Sequence, residues 1–358
     1  MSDWRALQNL WTIMLPRRQQ SVWLVLFLGM VVVPHPDATA QERFRLMEYN
    51  VENLFDCRHD SLKDDTEFLP DATRKWTYRR YKEKLTNIAK VIAAAGEGQL
   101  PDLVALCEVE NDRVMRDLTR YSSLKPAGYR YVMTDSPDKR GIDVALLYQP
   151  ATFRLMAHRS VRIPPKYRRQ RPTRDILHVV GRVMTGDTLD IFVCHFPSRS
   201  SGKRRTEPYR MWAAMVLRTQ IDSLLQVRQT PHIVVTGDFN DTPECKTLRE
   251  TVGAWAPEGE VEPKCLYNLL AGRAGEGSYY YQGEWEIIDQ LMVTGALLDT
   301  QTPFHTSAEQ AKILKFPFLL TDDVRYGGKI PLRTYYGARY QGGYSDHLPL
   351  LLEFELRY

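Results

Sequence analysis

From Phe44 onward the apolar residues fall mostly into short runs bounded by Gly, Pro, Asn and Asp, and only twice into a stripe with helical spacing. The runs predict strands at 44–50, 102–107, 130–135, 143–149, 176–184, 189–195, 232–237, 287–293 and 348–355. Several are continuous apolar stretches of the kind covered on both faces of a sheet. One helical stripe runs through Tyr81, Leu85, Ile88, Ile92 and Ala95. The other runs through Met211, Met215, Leu217, Ile221, Leu224 and Leu225, after a start at Thr206 with Pro208 just inside. Strands outnumber helices, so a doubly wound parallel sheet buried under many helices fits poorly. Two sheets packed face to face with helices outside fit better. No repeat, low-complexity tract or Gly/Ser linker interrupts the chain from Phe44 to Tyr358, which reads as one α/β domain, 41–358.

The polar residues that stop these runs carry the chemistry. IVVTGDFND ends its run at Asp238 and Asn240, two positions apart and pointing the same way if the backbone stays extended. FRLMEYNVENLF ends at Asn50, DLVALCEVEN at Glu108 and LDIFVCHFPSR at His195, while IIDQLMV carries Asp289 near its start. GGYSDHLPLLLEF places Asp346 and His347 just before the last strand. Any one of these fits a turn or a cap. Polar residues set repeatedly at strand ends are what a shared site on a rigid scaffold requires.

Carboxylate and amide oxygens are hard ligands that suit Mg²⁺, Mn²⁺ or Ca²⁺, and two histidines can move protons and stabilise a charged pentacoordinate phosphorus. The combination points to metal-assisted hydrolysis of a phosphate ester. A zinc site would need a third close His or Cys, or an HExxH helix, and neither is visible. His59, His158, His178, His232 and His305 read as core or surface residues.

Composition adds an address and a charge pattern. Of the 358 residues 43% are hydrophobic, enough for a sizeable core. Arg17 and Arg18, an uncharged run from Val22 to Val33 and the triplet Ala38-Thr39-Ala40 describe a signal peptide over 1–40, cleaved after Ala40. Its apolar core is well short of the roughly 20 residues that span a bilayer. From Gln41 on, the net charge is only +3, but seven Lys or Arg and no acid lie between Arg159 and Arg174. Between Arg199 and Arg210 five more stand against Glu207 alone. Such clusters attract phosphate-bearing ligands, or form solvated faces. The five cysteines, an odd number, leave at least one thiol free.

The ordered motifs YNVENLFD, LCEVEN, RGIDVALLY, HFPSR, GDFND, IDQLMV and SDHLPL resemble those of the endonuclease/exonuclease/phosphatase superfamily, over about Phe44 to the C-terminus. Pancreatic-type deoxyribonuclease, abasic-site endonucleases, sphingomyelinases and inositol-phosphate phosphatases are members. The resemblance implies a four-layered α/β/β/α sandwich with two mixed, mostly antiparallel sheets. It implies that Asn50 and Glu108 help hold the divalent metal with Asp346 nearby, and that Asp238 and Asn240 position or deprotonate water and bind the scissile phosphate. Asp289 would hydrogen-bond His347, and His195 would contact the phosphate or protonate the leaving oxygen. Arg140, Ser198 and Arg199 sit inside the motif segments and are candidate phosphate contacts.

The expectation is therefore an exported, periplasmic or extracellular, Mg²⁺-dependent phosphodiesterase. It is a monomer without a stable protein partner, acting on nucleic acid. A phosphatase or phospholipase C-type activity on a phospholipid, phosphoinositide or sugar phosphate is the alternative, and a binding protein on the same scaffold a further one. Specificity would lie in loops 159–174, 255–285 and 301–340, which carry Tyr279, Tyr280, Tyr281, Trp285, Tyr335 and Tyr336.

Overall fold

A computed structural model describes residues 43–168 and 170–357. The expected signal peptide lies outside the described residues, as does Arg169 of the first basic cluster. The chain builds β1 (Arg43–Leu54), α1 (Tyr78–Ala95), β2 (Leu103–Val109), α2 (Asp112–Arg120), β3 (Arg130–Met133), β4 (Asp143–Tyr148), β5 (Phe153–Val161), β6 (Ile176–Val183) and β7 (Thr188–His195). It continues with α3 (Lys203–Val227), β8 (His232–Asp238), β9 (Ala254–Trp255), β10 (Leu266–Asn268), β11 (Tyr279–Tyr281), β12 (Glu284–Glu286), β13 (Asp289–Thr294), β14 (Phe304–His305) and β15 (Ala311–Ile313). Two hairpins follow, β16 (Leu320–Asp322) with β17 (Lys329–Pro331) and β18 (Tyr335–Tyr336) with β19 (Arg339–Tyr340), and then β20 (Leu350–Leu356).

Two large sheets result. One has the order β14-β20-β1-β2-β4-β3, with β15 also on β20; the other has the order β5-β6-β7-β8-β13-β10-β9. Pairing is mostly antiparallel, with parallel exceptions at β1–β2, β7–β8 and β9–β10. The sheets face each other across a core that includes Phe44, Leu46 and Ala105 from the first and Val179, Ile191, Val193, Val234 and Leu291 from the second. α1 and α2 cover the outer face of the first sheet through residues such as Leu85, Ile88, Ile92 and Leu118. α3 covers the second through Ala213, Ala214, Leu217 and Ile221. This is the expected four-layered sandwich. Among the described residues no helix is long and apolar enough to cross a membrane.

The elements depart from the sequence reading: the short strands β9–β12 and β14–β19 fall in segments read as loops, and three departures bear on the layers. β5 is an additional strand at the edge of the second sheet; most of its middle positions are exposed, so it lacks an apolar run. The short α2 was not expected either; Asn111 caps it by accepting from Val114 N at 3.1 Å. α3 begins at Lys203, before Thr206, and encloses Pro208. Its covered face keeps Leu217 and Ile221 of the predicted stripe, with Leu224 and Leu225 at its margin, but Met215 is exposed, and Thr206 and Arg210 are buried in the first turns. Arg210 can be buried because its guanidinium donates to Asp241 Oδ2 at 2.7 Å, to Thr206 Oγ1 at 2.6 Å and to the Lys203 carbonyl at 3.0 Å.

Candidate active site

Strand register assembles the site. Parallel pairing sets His195, the last residue of β7, opposite Asp238, the last of β8, and antiparallel pairing sets Asp289, the first of β13, opposite the same Asp238. In the facing sheet, Asn50 of β1 lies opposite Cys107 of β2, one residue before Glu108, and His347 stands just before β20. The carboxyl-terminal parts of four parallel-paired strands, β1, β2, β7 and β8, and the entry points of two antiparallel ones, β13 and β20, thus meet at one end of the sandwich. Gly237 makes the β7–β8 approach feasible: it sits at φ +125°, and a Cβ there would lie 1.9 Å from the Cys194 carbonyl oxygen.

The side chains converge without filling each other's hydrogen-bonding capacity. His347 Nδ1 lies 2.8 Å from Asp289 Oδ2, and its Nε2 is 4.0 Å from Asp238 Oδ2. That Asp238 oxygen accepts from Asn50 Nδ2 at 3.1 Å and lies 3.5 Å from His195 Nε2. Its other oxygen accepts from Asn240 N at 2.8 Å, while Asn240 Nδ2 donates to the Phe196 carbonyl at 3.2 Å. Asp289 Oδ1 and His195 Nδ1 are buried without a hydrogen-bond partner among the described residues.

These surroundings split the two histidines. Burial by itself disfavours a charged His347, but Asp289, Asp238 and Asp346 outweigh it and hold the ring's pKa well above the ordinary value. Burial, reinforced by the charges of Arg174, Arg140 and His347, pushes His195 well below it. Burial also drives Asp238 up to about 7, with His347 pulling it down and Asp289 pushing it up. Near neutral pH the site therefore offers an imidazolium, a neutral imidazole and a carboxylate close to its titration point.

The predicted ligands are all present, in different states. Glu108 sits at φ +66° and accepts from Asn53 N through Oε2 at 2.9 Å. Its Oε1 makes no hydrogen bond among the described residues, where Arg140 Nη2 lies 3.8 Å and His195 Nε2 3.9 Å from it. Asn50 Oδ1 accepts from Glu52 N at 3.0 Å. Asp346 already has a counter-ion, with Arg333 Nη2 2.8 Å from its Oδ2. Asp238, Asp289 and His347 bring three ligand atoms within 4.8 Å of one another. A charged imidazole has no lone pair to give, however, so the donor set that suits a hard cation is the free Glu108 oxygen with the amide oxygen of Asn50.

The candidate phosphate contacts sit at the rim. Arg140 Nη2 donates to Asn53 Oδ1 at 2.6 Å. Ser198 Oγ accepts from Ser200 N at 3.2 Å. Arg199 forms a two-pronged pair with Glu286, 3.0 and 2.5 Å, which satisfies part of its fork before any ligand arrives.

Sequence reasoning missed Glu48 and Arg333, and placed Arg174 and Tyr279 only in a basic cluster and a specificity loop. Glu48, two residues before Asn50, is fully buried with Oε2 unpartnered; burial and Asp289 raise its pKa well above the carboxylate range. One acid inside the apolar run RLMEYN was its only signal. Arg174, counted among the surface cations, is buried and donates to the Phe196 carbonyl at 2.7 Å. Arg333 is set beside Asp346 by Glu52, which accepts from its Nε at 3.0 Å. Tyr279 packs its ring 4.9 Å from that of His347.

A family model described as endonuclease/exonuclease/phosphatase matches residues 45–356. Among solved structures, an endonuclease/exonuclease/phosphatase family protein from Bacteroides thetaiotaomicron aligns at 15% identity and TM-score 0.54, covering 89% of this chain and 99% of that one. D. rerio TDP2 complexed with single strand DNA product aligns at 13% and 0.53, covering 88% and 100%. The human Nocturnin catalytic domain with bound sulfate anion aligns at 14% and 0.54, covering 90% and 100%. At these identities the likeness concerns the fold. A comparison with curated proteins found no match.

Proposed function

The chain belongs to the endonuclease/exonuclease/phosphatase family, and from that premise we propose that it is an exported, divalent-metal-dependent phosphodiesterase, a nuclease that hydrolyses DNA or RNA by in-line attack of water. The observation that carries this reading is the His347–Asp289 pair facing Asp238, with the unbonded Glu108 Oε1 close to the neighbouring His195. Glu108 and Asn50, with Asp346 nearby, would hold Mg²⁺, with Mn²⁺ or Ca²⁺ as alternatives. When bound, such an ion polarises a phosphoryl oxygen and offsets the negative charge that builds up in the transition state.

The chain's own groups do the rest. Asp238, near its titration point, accepts the proton of the attacking water. The His347 imidazolium, kept charged by Asp289, binds the phosphate oxygens where charge develops and gives its Nε2 proton to the leaving oxygen, balancing the proton that Asp238 takes from water. His195 is neutral and contributes an N–H to the phosphate in place of a transferable proton, and the second Nδ2 proton of Asn240 does the same. Arg140 and Arg199 flank the phosphate. The enzyme is proposed to act as a monomer without a stable protein partner. The sequence of residues 1–40 supports export to the periplasm or medium.

The test is hydrolysis of supercoiled plasmid, single-stranded RNA, sphingomyelin and inositol phosphates, with Mg²⁺ and with chelator, beside His347→Ala. Metal-dependent cutting of plasmid or RNA that the variant loses is the expected result. Turnover confined to the lipid or the inositol phosphates would move the protein to the phospholipase or phosphatase branch. No turnover at all would leave a binding protein.

A further inference from the structure

The two basic clusters, some thirty residues apart in sequence, meet in the fold. Trp212 of α3 donates from Nε1 to the Pro164 carbonyl at 2.8 Å, the Tyr167 and Tyr209 rings stand edge to face at 5.5 Å, and Lys166 Nζ lies 4.5 Å from the Trp212 ring. These contacts lay segment 162–168 against the first turns of α3. The fold then sorts the cations. Arg162, Arg174, Arg199 and Arg210 are paired with Asp175, Asp138, Glu286 and Asp241. Lys166, Arg168, Arg171, Lys203, Arg204 and Arg205 are exposed, and none forms an ion pair among the described residues. The one acid in their midst, Glu207, forms none either.

This surface adjoins the site. Residues 170–175 lead into β6, whose Leu177 pairs with Val193 of β7, two residues before His195. Arg174 ties them to the Phe196 carbonyl. Residues 196–202 run from His195 into the first turn of α3, and Lys203 is close enough to Glu286 for its charge to act on that carboxylate. A strand of phosphates leaving the site past Arg199 would run onto it.

We propose that this basic platform, with the exposed ring of Tyr167 in it, binds the single-stranded polynucleotide on one side of the scissile phosphate, so that the substrate is a long strand and not a small ester. The inference rests on the nuclease reading and sharpens it. Lysines and arginines along a strand supply affinity independent of sequence, and an exposed aromatic gives a base a face to stack on.

Salt dependence of binding tests it without turnover. The full chain, in chelator, is titrated with a twenty-nucleotide oligothymidylate between 50 and 200 mM salt. Six phosphate contacts weaken binding by about 300-fold over that range, at a slope of about −0.7 per contact. Lys203→Gln/Arg204→Gln/Arg205→Gln should reduce the loss to about 20-fold, and Arg168→Gln/Arg171→Gln should reduce it by an intermediate amount. A flat response in the wild type, unaltered slopes in both variants, or binding to anionic phospholipid vesicles with none to the oligonucleotide would overturn the platform. Salt-dependent binding without any cleavage in Mg²⁺ would sink the nuclease reading and leave the platform standing.

Discussion

His347 Nδ1 and Asp289 Oδ2 stand 2.8 Å apart with both residues buried, and among the described residues no other acid is hydrogen-bonded to that ring. The pair joins the two sheets, because Asp289 opens β13 of one and His347 leads into β20 of the other. Asp289→Asn keeps the shape and removes the charge that sustains the imidazolium. Hydrolysis of bis(4-nitrophenyl) phosphate should fall by about 10²–10⁴-fold, and the His347 ring protons should titrate at lower pH by NMR. Activity within a few-fold of wild type would mean that His347 does not work as a cation.

Asp238 predicts opposite pH trends for rate and stability. With its pKa raised by burial to about 7, the group becomes a usable base only as pH rises, so kcat/KM should climb through that value. The folded protein also holds this proton between about 4 and 7, where the unfolded chain has released it, so stability should decline with rising pH across that window. Asp238→Asn should flatten the decline, as read from denaturation midpoints at pH 5 and 8. An equal slope in the variant would place the linkage elsewhere.

Arg210 and Asp241 form a buried ion pair beneath α3. Asp241→Asn, which strands the guanidinium, should cost about 3–5 kcal/mol in chemical denaturation. Arg210→Met combined with Asp241→Leu should cost less than the single change. A double variant weaker than either single one would show that the pair contributes net stability.

Gly237 has no room for a methyl group against the Cys194 carbonyl and sits at φ +125°. Gly237→Ala should lower stability by about 3 kcal/mol or more and displace Asp238 from its partners. A wild-type melting temperature would rule out the close β7–β8 approach.

Legibility followed the range of the cause. Runs such as LVALCEV and IVVTGD announce buried strands because both faces are covered, and the residues that stop them are the site. β5 announces nothing because the edge of a sheet does not require an apolar run. Arg333 and Glu52 lie 281 positions apart, and no local pattern connects them. Arg174 and Arg210 read as surface cations because the acids and carbonyls that neutralise them come from other elements. The stripe of α3 is right at Leu217 and Ile221 and wrong at Met215: apolarity alone places Met215 inward, whereas the covered face takes in Ala213, Ala214 and the ion-paired Arg210.

Four non-glycine residues around the site, Glu52, Asn53, Glu108 and Asn240, have φ between +50° and +66°. Each such conformation costs on the order of 1–3 kcal/mol, and the rest of the sandwich must over-determine it. Selection for heat resistance alone would therefore tend to erase this corner, replacing these residues with glycine and relaxing the loops. The sandwich would outlast its chemistry: a tougher descendant of this chain would keep its layers and lose the oxygen of Glu108 and the amide of Asn240 first.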